Sequence, residues 1–283
     1  MKHIKKVPND TTLLQFLTTE FAFVSLSTIK KQLRLGEIRV NDKKVFTDTS
    51  LSKDDEIRIF LPVSTQKQQS MPDIIYEDDM ILAVYKPILC STDVHLAQWV
   101  KKHCAIAMPV HRLDTNTKGI VICAKTIDVQ NELTVAFKSN QIEKYYHARV
   151  VGKLQFKTDK ITVYIFKDAK KSKVFVSDTI KKGYMPATLE YKVIAEDYNS
   201  STIKIKLITG RTHQIRATFA HLGNPIIGDG KYGSDKVNRE YKKSFPMLTA
   251  YKIKFAFVAS DYKFISSLAD KEIILSKDKQ FFE

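Results

Sequence analysis

The stretch His111-Arg112-Leu113-Asp114-Thr115-Asn116-Thr117-Lys118 runs into the apolar segment Gly119-Ile120-Val121-Ile122-Cys123, so a carboxylate sits on a short polar loop that leads into a strand. About a hundred residues on, Gly210-Arg211-Thr212-His213-Gln214-Ile215-Arg216 follows the alternating run Ile203-Lys204-Ile205-Lys206-Leu207-Ile208. That run delivers Arg211 to a strand-to-helix junction. Alone, an Asp in such a loop is a turn former or a cap. Beside a guanidinium it becomes a carboxylate held ionised and in one orientation, fit to act as nucleophile or base. The alternative for Arg211 is a phosphate contact at a helix start.

Outward from these two stretches, β-branched and aromatic runs dominate everything after residue 73, among them Ile81 to Tyr85, Tyr145 to Val151, Leu189 to Ile194 and Thr202 to Ile208. Two helices interrupt them. One is expected from about Ile127 to Lys138, with Thr126 as N-cap and Val129, Leu133 and Phe137 on one face. The other starts after Arg211 and ends at Gly223, with Ile215, Phe219 and Leu222 facing inward. Many strands with few helices predict an α+β domain on a mixed or antiparallel sheet.

The first sixty residues form a second, smaller α+β unit. Leu13, Leu14 and Leu17 recur at helical spacing, a second helix is expected from Ser27 as N-cap to Gly36, and two short strands follow at 37–41 and 56–60. Lys30 and Arg34 stand four apart on that second helix, a repulsive pair that either meets phosphate or is tolerated as a solvated basic face. Residues 63–72 are polar and without period, and read as a linker between domains 1–62 and 73–283.

The chain of 283 residues carries 46 Lys and Arg against 31 Asp and Glu, a net +15 that favours a polyanionic partner. The surplus is three in residues 1–65 (eleven against eight) and twelve in the rest, so both domains are expected to touch nucleic acid. The three cysteines, Cys90, Cys104 and Cys123, lack metal or disulfide spacing. No apolar run is long enough to span a bilayer, and a soluble, cytoplasmic, monomeric protein is expected.

His111-Arg112-Leu113-Asp114 followed by Thr117-x-Gly119, together with Lys144-x-Tyr146-x-Ala148 and the Gly210–Arg216 motif, resembles the RluA-type RNA pseudouridine synthases along nearly the whole chain. The resemblance implies isomerisation of uridine to pseudouridine in RNA, a reaction without redox change that needs no cofactor or metal. It implies Asp114 as nucleophile, attacking C1′ or C6, and Arg211 as its ion-pair partner. Tyr146 would stack on the uracil and take the C5 proton, unless it is ordinary strand packing. Arg112 would fill the space left by the flipped base, and Leu207 would floor the pocket. The segment from Ser27 to Asn41 with Asp55 to Ile59 resembles an S4 RNA-binding domain, which implies RNA contact by Lys30, Lys31, Arg34, Arg39 and Asn41.

The S4 domain, linker and insert after Tyr232 most resemble the branches that modify large-subunit ribosomal RNA. A tRNA-directed relative and a non-catalytic RNA-binding or ribosome-assembly factor are the alternatives. Three positions depart from the family pattern: Lys118 for Ser, Ile88 for the Gly after Lys86-Pro87, and Thr249 for His. Lys118 is expected to alter RNA contact, and the turn at Ile88 to have its own shape. His111, His213 and His221 are expected to be structural hydrogen-bonding residues.

Overall fold

The computed structural model describes residues 2–21, 24, 26–60, 71–168 and 173–282. Most of the expected linker, residues 63–70, lies outside the described residues. The chain divides into two compact units, 1–70 and 71–283.

In the first unit the strands are β1 (Lys2–Lys6), β2 (Thr11–Thr12), β3 (Ile38–Val40), β4 (Lys43–Lys44), β5 (Ser50–Leu51) and β6 (Glu56–Phe60). They form a four-stranded sheet in the order β1-β6-β3-β4 and a separate β2-β5 pair. Helix α1 (Leu13–Glu20) is capped by the Thr12 hydroxyl and buries Leu13, Phe16 and Leu17, with Leu14 only half-buried. Helix α2 (Leu26–Arg34) starts one residue before Ser27, so Ser27 lies inside the first turn and is not the N-cap. Alternate residues of β6, Ile57 and Ile59, join Ile29, Leu33 and Ile38 in the core, while the charged residues between them point outward.

The second unit adds β7 (Asp73–Glu77), β8 (Ile81–Lys86), β9 (Met108–Pro109), β10 (Lys118–Ala124), β11 (Ile142–Val151), β12 (Thr158–Asp168), β13 (Lys173–Ser177), β14 (Met185–Glu196), β15 (Ser200–Leu207), β16 (Leu248–Phe255) and β17 (Glu272–Ile274). Its helices include α3 (Ala97–His103), α4 (Ile127–Lys138) and α5 (Gln214–His221), with two short ones following at Asp235–Glu240 and Lys277–Gln280. All eleven strands share one sheet, whose main path is β13-β12-β14-β15-β11-β16-β10-β8-β7. Among the described residues only β10 and β16 pair in parallel, so the sheet is mixed. Gly119 makes that pairing possible: a Cβ there would stand 2.3 Å from the Ala250 carbonyl oxygen.

Both faces of the sheet's centre are covered, which explains why β8 and β10 read as unbroken apolar runs. Val121 and Cys123 pack on the face that carries Ile215 and Phe219 of α5, while Ile120 and Ile122 pack on the face that carries Val129 and Leu133 of α4. Thr126 caps α4 as its sequence predicts, its hydroxyl accepting from the Val129 N–H. Leu222 departs from expectation: α5 ends at His221 and Leu222 is exposed. In the Lys86-Pro87-Ile88-Leu89 turn the left-handed residue is Leu89, at φ 61°, one place after the position where the family has glycine.

Candidate active site

The loop before β10 is tied down from three sides. His111 Nε2 accepts from the Ile122 N–H at 3.0 Å, the Thr92 hydroxyl bridges the N–H and carbonyl of Leu113, and the Asp114 carbonyl accepts from the Thr117 N–H. Beneath it the fully buried Lys86 ammonium donates to the carbonyls of Pro87, Cys90 and Thr115. Burial pushes the Lys86 pKa down to about 8, and the charge is retained at neutral pH by those carbonyls and by nearby Asp114. The Asp114 side chain stands on this braced loop at the edge of a cleft of about 500 Å³.

Arg211 is not its partner. Arg216 Nη1 donates to Asp114 Oδ2 at 3.1 Å, whereas Arg211 Nε donates to the Pro186 carbonyl at 3.2 Å. The physical reason is where the helix begins. Arg211 precedes α5 in an open turn, while Arg216 lies in its first turn and is directed into the protein. Gln214 fixes that junction: its buried side chain accepts from the Arg211 N–H and the Thr209 hydroxyl, and donates to the Thr188 carbonyl.

Arg216 is itself locked. Its Nε and Nη2 donate to the two oxygens of Asp229 at 2.7 and 2.9 Å, and Asp229 is 0 % exposed. Asp229 Oδ1 also accepts from the N–H groups of Lys231 and Tyr232. Burial alone would raise the Asp229 carboxyl, but Arg216 and these N–H groups hold it below the usual carboxylate range. Burial likewise opposes the Arg216 charge, and Asp229 and Asp114 outweigh it, raising the guanidinium pKa. The Gly228–Gly233 loop therefore acts as a clamp behind the Asp114–Arg216 pair.

Tyr146 and Leu207 line the same cleft on neighbouring strands, and both are largely buried. Strand alternation separates the two tyrosines: Tyr145 donates its hydroxyl to Glu143 on one face of β11, and Tyr146 faces the cleft on the other. Burial and then the Asp114 charge raise the Tyr146 phenol, so it is neutral at physiological pH. Arg112 lies at the rim, 73 % exposed, with Nη1 at 2.7 Å from Asp93 Oδ2. An exposed ion pair of this kind is worth little and is easily exchanged for another partner.

Sequence reasoning missed four residues here: Arg216, Asp229, His213 and Tyr232. His213 is a hydrogen-bonding residue as expected, its Nδ1 lying 2.8 Å from Tyr232 Oη, and its Nε2 stands 3.8 Å from Asp114 Oδ2. By contrast, His111 is a loop brace that burial keeps neutral, with a pKa of about 3, and His221 pairs with Asp178 at 2.8 Å. The Lys118 Nζ donates to the Phe281 carbonyl at 3.0 Å and lies over the Phe282 ring. Thr249 is buried on β16, opposite His147.

In the first unit Lys30, Lys31 and Arg34 are exposed on α2, with Arg34 Nε donating to the Lys30 carbonyl. Arg39 is half-buried and Asn41 is exposed. The Asn41 amide is committed to its own turn, donating to Asp55 at 2.8 Å and accepting from the Glu56 N–H at 2.9 Å.

Residues 83–221 match the family model described as RNA pseudouridylate synthase. The chain is 30 % identical over 274 residues to the ribosomal large subunit pseudouridine synthase C of Vibrio vulnificus, covering 87 % of this chain and 85 % of that one. It belongs to the RNA pseudouridine synthase family.

An RNA pseudouridine synthase of Mycoplasma capricolum is also 30 % identical, over 97 % of both chains. The fold of the human RNA pseudouridylate synthase domain containing 1 superposes with a TM-score of 0.59 at 22 % identity, over 74 % of this chain and 92 % of that one. The protein is thus an RNA pseudouridine synthase of the RluA type, an isomerase whose partner is RNA. The cleft holding Asp114, Arg216, Tyr146 and Leu207 lies on the matched segment, with Asp229 clamping it from beyond.

Proposed function

We propose that the enzyme isomerises specific uridines of large-subunit ribosomal RNA, with Asp114 as the nucleophile. The observation that carries this reading is the chain Asp114–Arg216–Asp229, in which Arg216 Nη1 donates to a carboxylate lining a cleft of nucleoside size while a second, buried carboxylate locks the arginine. The relatives named for the ribosomal large subunit support the choice of RNA.

A target uridine must leave its stack to reach this cleft. Arg112, released from Asp93, fills the gap it leaves, while Tyr146 stacks on the base over Leu207. The Asp114 carboxylate adds to C1′ or C6, the N1–C1′ bond breaks with its electron pair going to the uracil, the base turns so that C5 bonds to C1′, and the bond from Asp114 to C1′ or C6 breaks to return the free carboxylate. The C5 proton must then leave. Because Tyr146 is a neutral phenol, it accepts that proton only by passing its own to Asp114, whose charge it senses.

The 1–62 domain acts as an S4-type RNA-binding module joined by the 63–72 linker to the catalytic domain. Lys30, Lys31, Arg34 and Arg39 present positive charge to phosphate there, and Asn41 shapes the turn beside them. Pseudouridine mapping of total RNA from cells carrying wild-type protein or Asp114→Asn tests the proposal. Discrete large-subunit sites lost in the variant are expected. Loss confined to tRNA would overturn the substrate, and survival of every site would overturn the nucleophile.

A further inference from the structure

His213 opens α5 with a left-handed backbone, φ 52°, and its ring is engaged at both nitrogens by groups from elsewhere in the chain. The Val174 N–H donates to Tyr232 Oη at 3.0 Å, which leaves the phenol's own proton available to His213 Nδ1 at 2.8 Å. With Nδ1 accepting, the single proton of a neutral imidazole resides on Nε2. Nε2 faces Asp114 Oδ2 at 3.8 Å, the same oxygen that Arg216 Nη1 reaches at 3.1 Å. Among the described residues no hydrogen bond engages Oδ1. The two oxygens of Asp114 are therefore inequivalent: one is gripped from two sides and the other is open to the cleft.

We propose that His213 is a positioning residue of the isomerisation: fixed by Tyr232 as the Nε2–H tautomer, it holds Oδ2 together with Arg216 so that Oδ1 attacks. The inference rests on Asp114 being the nucleophile. The proposal requires the separation of 3.8 Å to shorten to hydrogen-bonding distance in the complex with RNA, as catalytic hydrogen bonds commonly do. The arrangement requires an uncharged ring. Asp114, Asp229, Arg216, Lys231 and Tyr232 all face it. Burial and the cations Arg216 and Lys231 outweigh the carboxylates and keep its pKa below the ordinary histidine value. Protonation would place a second cation beside Arg216, bind the Asp114 charge tightly and abolish the Tyr232 O–H···Nδ1 bond.

Three variants separate positioning from structure. His213→Asn tolerates the left-handed backbone and can still meet Tyr232, but has no group at the Nε2 position. His213→Gln reaches Oδ2 with an amide N–H. Tyr232→Phe frees the tautomer without touching His213. Single-turnover rates and RNA affinity are measured on the full-length protein with an RNA that the wild type modifies, after Tm has shown each variant to be folded. The expected result is a rate loss of about 10- to 100-fold in His213→Asn and a smaller loss in Tyr232→Phe, with affinity within about threefold, and substantial recovery in His213→Gln. The acid limb of the rate should move to lower pH in His213→Gln. Wild-type rates in both His213→Asn and Tyr232→Phe, or an unmoved acid limb, would overturn the proposal. Activity in Asp114→Asn would instead overturn the nucleophile on which it rests.

Discussion

Arg216 joins two carboxylates of opposite character: Asp114 at 3.1 Å, open to the cleft, and Asp229 at 2.7 and 2.9 Å, sealed from water. One guanidinium can serve both because its planar fork leaves Nη1 free after Nε and Nη2 are taken. A lysine keeps the charge and loses the fork.

Arg216→Lys is therefore expected to lower the rate by at least about 100-fold. It should also cost about 3 kcal/mol or more of stability, because the buried Asp229 is left poorly paired. Arg211→Ala, by contrast, should leave the single-turnover rate within a few-fold of wild type and affect mainly RNA affinity. Rates and urea unfolding of both variants check this. A dead Arg211→Ala beside an active Arg216→Lys would restore the pairing read from sequence.

In the proposed mechanism Tyr146→Phe keeps the ring assigned to stack on uracil and removes the hydroxyl assigned to relay the C5 proton. The rate should fall by about 100- to 10,000-fold with RNA affinity nearly unchanged. A loss confined to affinity would show that the hydroxyl has no part in proton transfer.

Much of this was legible before the structure. The α4 boundaries and the Thr126 cap were readable because periodicity and cap chemistry agree, and the apolar runs of β8 and β10 were readable as strands. The choice between Arg211 and Arg216 was not. It turns on which residue opens α5, and His213 opens it from a left-handed conformation that no local signal required. Asp229 was hidden for a related reason: a Gly-Asp-Gly loop reads as a turn, and only the tertiary fold places its carboxylate against a guanidinium. The Lys118 contact was hidden too, because its acceptor, the Phe281 carbonyl, lies 163 residues away.

If the first unit meets RNA through α2, replacing Lys30, Lys31 and Arg34 together with Ala should weaken binding and flatten its salt dependence. The slope of log K against log salt should shrink by about one for each phosphate no longer neutralised, or about three in all. The rate at saturating enzyme should be unchanged. Binding curves at several salt concentrations test this, and an unaltered slope would remove α2 from the interface.

Two buried histidines predict an acid-sensitive fold. His111 and His147 are kept neutral by burial, with pKa values of about 3 and about 4, below the usual 6.5 of an unfolded chain. Between those values and 6.5 the unfolded chain binds more protons, so stability rises with pH there. It is fully present above 6.5 and is lost as pH falls. Each histidine contributes at most about 1.4 kcal/mol per pH unit in that window. Urea unfolding between pH 7.5 and 5.5 should show the decline, and His111→Gln should make it shallower. An identical slope in the variant would contradict the assignment.

In the mechanism proposed for this enzyme Asp114, and not a neighbouring group, carries the chemistry. The most direct test is single-turnover conversion of an RNA that the wild type modifies, by wild type and Asp114→Asn, with RNA affinity measured in parallel. The mechanism predicts no detectable pseudouridine from the variant and affinity within a few-fold of wild type. Pseudouridine formed by Asp114→Asn at a rate near that of the wild type would contradict it.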